Sequence, residues 1–501
     1  MEFSIKGGDL SKLKTDCVIV GVFANAGSGD SKKLSKAAHS LDKASKGAIS
    51  GAIANGDISG KVGSTLLLQS LSGLAAQRVL LVGCGLEKDY ADKVFANAAT
   101  AAFKALKTTA ATDVVISLDA TLKGSNLLWK AEQAAIHAIA GAYRFNQLKS
   151  KVDDKNVGKQ LTIHVDGDVS EKALKAALKR GEAIGEGMNL TKDLGNLPPN
   201  IATPTYLATT AKALAKAYKF KCTILEKKDM QKLGMNTLLA VSKASYEPPK
   251  FIVLEHQGGK KGAAPVVLVG KGITFDTGGI SIKPSAEMDE MKYDMQGASS
   301  MLGVMKTVGM MKLPLNVVML VPTCENMPGG NATRPGDIVK SMAGHTVEIL
   351  NTDAEGRLIL CDALTYAERF KPAAVVDAAT LTGAMVIALG HVTTGIFAND
   401  DKLAHELVGA GVAANDAAWH LPMGPEYDEG LKSNFADIPN IGAGRAGGSI
   451  TAACFLGRFT KSYKWAHMDI AGTAWKSGAE KGATGRPVPL LANFLFKRAG
   501  I

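Results

Sequence analysis

One stretch of the chain brings together side chains that could hold both cations and an anion. Residues 351–358 read Asn-Thr-Asp-Ala-Glu-Gly-Arg-Leu, so the carboxylates of Asp353 and Glu355 lie two residues apart and the guanidinium of Arg357 follows at once. In an extended backbone these three side chains point to the same side, because strand side chains alternate with a period of two. An acidic turn beside an arginine is also a common solvated surface feature. This stretch alone leaves both interpretations open.

Further ionisable residues lie in or beside glycine-rich segments. Lys271, Asp276 and Lys283 occupy a glycine-dense stretch that follows an apolar run, and Asp294 directly precedes a segment rich in glycine and alanine. With the two acids described above, these residues make four carboxylates and include no histidine. Such a set would suit two divalent cations such as Mg²⁺, Mn²⁺ or Zn²⁺. A shared site requires that the separate segments converge in space, which periodicity cannot show.

Motifs for other chemistries are incomplete. A phosphate-binding loop around Lys271 would need glycine at Pro265 and a hydroxyl residue at Gly272. Gly-Cys-Gly at 83–85 follows an apolar run, but the third glycine of a dinucleotide-binding fingerprint is missing near Asp89. The sequence has neither a GxSxG nucleophile elbow nor an HExxH zinc helix. The familiar hydrolase signatures are therefore absent, and the nucleotide-binding signal is weak.

Short apolar runs bounded by glycine or charge predict buried strands between helices, which is the pattern of an α/β fold. The predicted strands are Cys17–Phe23, Arg78–Gly83, Asp113–Leu118, Thr223–Leu225, Phe251–Leu254, Val266–Val269, Val317–Val321 and Ala374–Val376.

The length of 501 residues exceeds what one hydrophobic core normally organises and predicts two domains. An amphipathic pattern predicts a helix from Ser170 to Met188, with Ser170 as its cap. Asn-Leu-Pro-Pro-Asn at 196–200 then interrupts the chain. We predict a smaller α/β domain over 1–165, a connecting helix and linker over 166–195, and a larger α/β domain over 196–501.

Composition favours a soluble protein. Hydrophobic residues make up 46% and charged residues 21% of the chain, as in ordinary globular proteins. No apolar run reaches the roughly 18 to 20 residues of a membrane span, and the amino terminus lacks a secretory signal. Six dispersed cysteines without a CxxC pair predict reduced thiols. We expect a cytoplasmic protein with no membrane partner. The net charge of +11 leaves a solvated lysine-rich face and a nucleic-acid surface open.

Several segments resemble the M17 leucyl aminopeptidase family, whose signature is the octapeptide at 351–358. The resemblance extends from about Asn189 to the carboxyl terminus and implies a catalytic domain like that of zinc peptidases, with a central mixed sheet. The other segments that carry it are 270–284 with Asp294, 196–200, 326–332, 380–384 and 467–472.

The resemblance implies a leucyl aminopeptidase that removes leucine and other apolar residues from peptides with a free amino terminus. It assigns one tightly held metal to Lys271, Asp276, Asp294 and Glu355. It assigns a more exchangeable metal to Asp276, Asp353 and Glu355, with the Asp353 carbonyl contributing. Each subunit would then hold two cations, Mn²⁺, Zn²⁺ or Mg²⁺, with a bridging water as the nucleophile. The lysine ligand must be neutral, which a neighbouring dication can enforce.

The same resemblance assigns the catalytic roles to two cationic side chains. Lys283 would polarise the scissile carbonyl and stabilise the oxyanion, and Arg357 would hold a bicarbonate ion that transfers the proton. Met291, Thr380 and Ala471 would line an apolar pocket for the first side chain of the substrate, although all three also fit an ordinary core.

The family ligand set contains no histidine, so we expect His345 and His467 to be structural. The resemblance also implies a smaller amino-terminal α/β domain and a homohexamer with active sites that face an interior cavity. Some bacterial members of the family bind DNA. A DNA-binding regulator with the same fold is therefore the alternative to a peptidase.

Overall fold

The chain forms two compact units, Met1–Gly185 and Glu186–Ile501. The computed structural model describes residues 1–24, 34–118, 126–152, 158–167, 169–442 and 444–501. The two units divide inside the helix Glu171–Asn196. Ser170 precedes this helix, and its Oγ accepts a hydrogen bond from the Ala173 amide, as the predicted cap requires. The helix continues past the predicted end at Met188 and stops directly before Leu197-Pro198-Pro199, where proline removes backbone donors.

The first unit contains a six-stranded sheet with the strand order β1-β6-β5-β2-β4-β3. Neighbouring strands are parallel except β3, which runs antiparallel to β4. Both faces of the sheet are buried by apolar side chains, as parallel sheets require. The strands are β1 Glu2–Lys6, β2 Cys17–Val22, β3 Thr65–Gln69, β4 Arg78–Gly83, β5 Asp113–Leu118 and β6 Gln160–Val165; the helices are α1 Lys36–Ala44, α2 Ala48–Ala54, α3 Asp92–Leu106, α4 Leu127–Ala142 and α5 Glu171–Asn196.

The second unit contains a nine-stranded mixed sheet, which confirms the predicted central mixed sheet. Eight strands follow the order β16-β15-β18-β14-β9-β11-β8-β7, and β10 pairs with β11. The strands of this unit are β7 Lys221–Leu225, β8 Lys250–Gln257, β9 Val266–Gly270, β10 Gly272–Asp276, β11 Asn316–Asn326, β12 Asp337–Lys340, β13 Thr346–Ile349, β14 Ala374–Ala379, β15 Thr394–Ala398, β16 Ala418–His420, β17 Ile438–Pro439, β18 Trp465–Asp469, β19 Trp475–Lys476 and β20 Gly482–Ala483.

Helices cover this sheet and bury an apolar core. They are α6 Pro204–Tyr218, α7 Lys227–Leu233, α8 Asn236–Val241, α9 Gln296–Met311, α10 Gly356–Ala367, α11 Gly383–Leu389, α12 Asp401–Ala413, α13 Pro425–Asp428, α14 Gly448–Gly457 and α15 Val488–Ala499. Among the described residues, no helix combines the length and apolar character needed to cross a membrane.

Four central strands place their carboxyl ends at one edge of the sheet. Strands β9, β11, β14 and β18 run parallel to their neighbours in this group. Lys271 directly follows β9, Asn326 ends β11, Thr380 follows β14, and Ala471 lies two residues beyond β18. In open α/β sheets, ligands bind in the crevice outside the carboxyl ends of the strands. The fold therefore gathers polar residues from distant segments at this edge.

Candidate metal centre and active site

The acidic stretch at 351–358 forms a turn followed by a helix. Thr352 and Asp353 form the turn, and α10 begins at Gly356. The extended backbone considered from the sequence is therefore wrong. Asn351 Oδ1 accepts a hydrogen bond of 2.8 Å from the Asp353 amide, and this local bond competes with strand pairing. Arg357 consequently belongs to the first turn of a helix rather than to a strand face.

Three carboxylates nevertheless converge. One oxygen from each of Asp276, Asp353 and Glu355 can be chosen so that all three atoms lie within 4.8 Å of one another. Asp276 ends β10 and Glu355 immediately precedes α10, so two segments that are far apart in sequence supply this cluster. Oxygen donors at this spacing fit a divalent cation.

Two lysines join the cluster to a fourth acid. Lys271 Nζ lies 2.7 Å from Asp294 Oδ2 and 2.8 Å from Glu355 Oε1. Lys283 Nζ lies 2.9 Å from Asp276 Oδ2 and 2.5 Å from Asp353 Oδ1. The five residues predicted as metal ligands and Lys283 thus form one contiguous network.

Gly356 leaves room for Lys271 in this network. A Cβ atom at Gly356 would lie 2.8 Å from Lys271 Nζ and 2.6 Å from its Cε. The ammonium is buried and paired with acids, so it cannot move aside without losing them. Glycine at this position is therefore required by the close approach of the lysine side chain.

Burial and mutual charge shift the pKa values in the network. Burial together with the charge of Glu355 raises the pKa of Asp276 to about 6. Burial opposes the charge of Lys271, but Asp294 and Glu355 outweigh that effect and raise the pKa of Lys271. Burial likewise opposes ionisation of Glu355, yet the two lysines hold its pKa below its usual value. Four acids and two lysines leave an excess of negative charge that suits cations.

Arg357 is a buried guanidinium with a donor that is unpaired among the described residues. The guanidinium is buried, and its Nη1 donates to the Asn440 carbonyl oxygen at 2.9 Å. Within the described part of the chain, its Nε has no hydrogen-bond partner. Burial lowers the pKa of Arg357 to about 10, so the group stays positive at neutral pH. A buried cation with an unused donor fits a small anion such as bicarbonate.

Asn326 supports the cluster from the end of β11. Its Nδ2 donates to Asp276 Oδ1 at 2.8 Å and to the Thr352 carbonyl oxygen at 3.0 Å. It therefore connects Asp276 to the turn that carries Asp353 and Glu355. Sequence reasoning assigned Asn326 no role, although its place at the end of an apolar run was a usable signal.

The three residues predicted for the substrate pocket have different environments. Met291 is half-buried in the 3-10 helix Met288–Met295, and Ala471 is buried beyond β18. Thr380 Oγ1 donates to Asp294 Oδ1 at 2.7 Å. This hydrogen bond indicates that Thr380 supports an acid of the cluster.

The two histidines have structural surroundings. His467 is fully buried, and its Nδ1 lies 2.5 Å from Asp377 Oδ1. The His345 ring packs edge-on against Phe459. That neither histidine is a metal ligand stays a prediction.

Two family models match the chain. The model described as the cytosol aminopeptidase family, catalytic domain, matches residues 189–492, and the amino-terminal domain model of that family matches residues 19–152. Proteins named probable cytosol aminopeptidase are similar over nearly the full length. Those of Nitrosospira multiformis and Azoarcus sp. are each 57% identical; the alignments cover 99% and 100% of this chain, and 96% and 99% of the relatives.

Solved structures agree with these matches. A mutant of tomato leucine aminopeptidase is 33% identical with a TM-score of 0.89, and the match covers 99% of this chain and 96% of that one. The bottromycin maturation enzyme BotP in complex with Mn is 31% identical with a TM-score of 0.83, covering 97% of this chain and 100% of that one.

Proposed function

Because the chain belongs to the cytosol aminopeptidase family, it is a metal-dependent aminopeptidase, and we propose that it releases leucine and other apolar amino-terminal residues by a two-cation mechanism. The single observation that carries the proposal is the convergence of Asp276, Asp353 and Glu355 within 4.8 Å, with Lys271 in contact with both Glu355 and Asp294. We propose these five residues as the ligands of two divalent cations, Mn²⁺ or Zn²⁺, with Mg²⁺ as a third candidate. The manganese complex of the structural relative supports the choice of Mn²⁺.

Lys283 and Arg357 would perform the remaining chemistry. When bound, two divalent cations supply a hydroxide nucleophile near neutral pH and polarise the scissile carbonyl. The Lys283 ammonium contacts Asp276 and Asp353, so it is positioned to stabilise negative charge that develops on the carbonyl oxygen. Arg357 would hold bicarbonate through its Nε donor, which has no partner among the described residues, and that anion would carry the proton toward the leaving amine.

The substrate proposal is a peptide with a free amino terminus. An acidic centre attracts the ammonium of such a terminus, and the deprotonated amine has a lone pair that can bind a cation. A blocked terminus lacks both the positive charge and this available lone pair. Met291 and Ala471 line the apolar side of the centre in this proposal, with Thr380 behind them.

Hydrolysis of matched substrates tests this function. Leucine amide and N-acetyl-leucine amide differ only at the amino terminus, so we expect hydrolysis of the first in the presence of Mn²⁺ and none of the second. Addition of a chelator should abolish the activity. Equal hydrolysis of both amides, or full activity in the chelator, would refute the proposal.

A homohexamer, a cytoplasmic location and DNA binding stay predictions. The names of the relatives support the cytoplasmic location, and light scattering in solution tests the hexamer. The net charge of +11 is the feature that favours DNA. Binding to duplex DNA that weakens steeply with salt would support that alternative, and no binding at low salt would refute it.

A further inference from the structure

We propose that Asn440 is a positioning residue that fixes both the turn carrying Asp353 and the guanidinium of Arg357. This inference rests on the proposed function of the centre. Asn440 is fully buried and comes from a segment that carries no recognisable catalytic motif. It lies at least 80 residues from the turn and from Arg357 along the chain.

The side-chain amide of Asn440 holds the turn through both of its polar atoms. Its Oδ1 accepts from the amides of Leu350 and Asn351 at 2.9 and 3.3 Å. Its Nδ2 donates to the carbonyl oxygens of Asn351 and Ala354 at 2.6 and 3.4 Å. These contacts bracket Asp353 on both sides. An amide suits this position because it supplies an acceptor and two donors in one plane.

The backbone of Asn440 binds the Arg357 guanidinium. Its carbonyl oxygen accepts from Arg357 Nη1 at 2.9 Å, and its amide donates to the Glu348 carbonyl at 2.8 Å. Strand β17 pairs in parallel with β13. Asn440 directly follows β17, and the segment that leads into the turn directly follows β13, so the two segments begin side by side. One residue therefore couples the geometry of a proposed metal ligand to that of the proposed anion-binding arginine.

Outer residues that orient metal ligands typically contribute a factor of about 10 to 100 in metal affinity or activity. We expect Asn440→Ala and the similarly sized Asn440→Leu to weaken the binding of one of two Mn²⁺ equivalents by about 10-fold or more. The turn carbonyls would lose their donor, and Asp353 would lose its fixed place. The value of kcat should fall by a similar factor, whereas KM for the peptide should change little.

Asn316 provides a matched control. Its side chain accepts from the Gly259 amide and donates to the carbonyls of Lys260 and Ala263. Like Asn440 it donates to two backbone carbonyls, although it accepts from one amide rather than two. It begins β11, at the opposite end from Asn326, roughly 30 Å from the site at the usual rise of a strand. Asn316→Ala should lower the thermal midpoint without changing Mn²⁺ affinity or kcat.

Calorimetric titration of full-length, metal-stripped protein with Mn²⁺, together with kcat, KM and the thermal midpoint in chelator, tests the inference. We expect both Asn440 variants to bind one of the two Mn²⁺ equivalents more weakly. The Asn316 variant should bind Mn²⁺ with wild-type affinity and keep the wild-type kcat. Folded Asn440 variants that bind Mn²⁺ and turn over like wild type would overturn the positioning role alone. Wild-type protein that binds no Mn²⁺ would overturn both this role and the proposed function.

Discussion

Asn326 Nδ2 lies 2.8 Å from Asp276 Oδ1, although the two residues are 50 positions apart in the chain. This bond occupies one oxygen of the acid, while the other oxygen lies 2.9 Å from Lys283 Nζ at the centre. The end of β11 thereby orients an acid supplied by β10. A charged cluster at a strand edge depends on such uncharged partners, because they orient ligands without adding to the repulsion.

Replacement of Asn326 should therefore impair the centre without removing a ligand. We expect Asn326→Ala to lower kcat by about 10- to 100-fold, measured with leucine amide at saturating Mn²⁺. Asn331→Ala is the control, because Asn331 follows in the same segment and its Nδ2 donates to the Lys243 carbonyl. Equal activity of the two variants would contradict the role of Asn326.

Lys283 should act in catalysis rather than in metal retention. Loss of a single oxyanion-stabilising donor costs about 10²- to 10³-fold in kcat, so we expect that loss in Lys283→Met with the bound metal count unchanged. Lys306→Met is the control, since that ammonium pairs with Glu186 at 2.7 Å outside the cluster. A Lys283→Met protein with near-normal kcat would exclude the assigned role.

Thr380→Val separates two roles for Thr380. If its hydroxyl supports Asp294, as the 2.7 Å hydrogen bond indicates, the variant should lose activity on leucine, alanine and phenylalanine amides by the same factor. A residue that shapes the pocket would instead change the ratio of kcat/KM among these substrates. We expect unchanged ratios, and a shifted preference would assign Thr380 to the pocket.

His467→Phe should destabilise the catalytic unit while leaving its metal content intact. The ring stacks with Phe397 and pairs with the buried Asp377, so phenylalanine keeps the stack but removes one of the two partners of the carboxylate, whose other oxygen accepts from Trp465 Nε1. Removing one member of a buried pair costs about 3 to 5 kcal/mol. Urea unfolding monitored by tryptophan fluorescence measures this loss. Addition of Asp377→Asn should recover part of the lost free energy of unfolding. Loss of bound Mn²⁺ in the His467→Phe protein would instead assign His467 to the metal centre.

The apolar runs predicted eight of the strands, including the central β9, β11 and β14, but gave no prediction for others such as β1, β6 and β10. Each apolar run predicted as a strand forms one, and several extend further; β11, for example, continues to Asn326. Acids and lysines beside glycine-rich loops also marked the cluster, since such loops allow close approach of side chains.

Three features lay beyond sequence reasoning. The sequence left an extended backbone and a turn open at 351–355, and it did not identify the local hydrogen bond of the Asn351 side chain, which forms the turn. Asn440 carried no signal, because its partners lie at least 80 residues away and a single asparagine in a loop has no periodicity. The order of the nine strands also depends on pairings between distant segments.

The most direct test of the central claim is a titration of chelator-stripped protein with Mn²⁺ while hydrolysis of leucine amide is followed. The stripped protein should be inactive, activity should rise to a maximum as two equivalents bind, and Glu355→Gln should stay inactive throughout. Activity in the stripped protein, or a Glu355→Gln variant as active as wild type, would contradict the claim that these acids hold the catalytic cations.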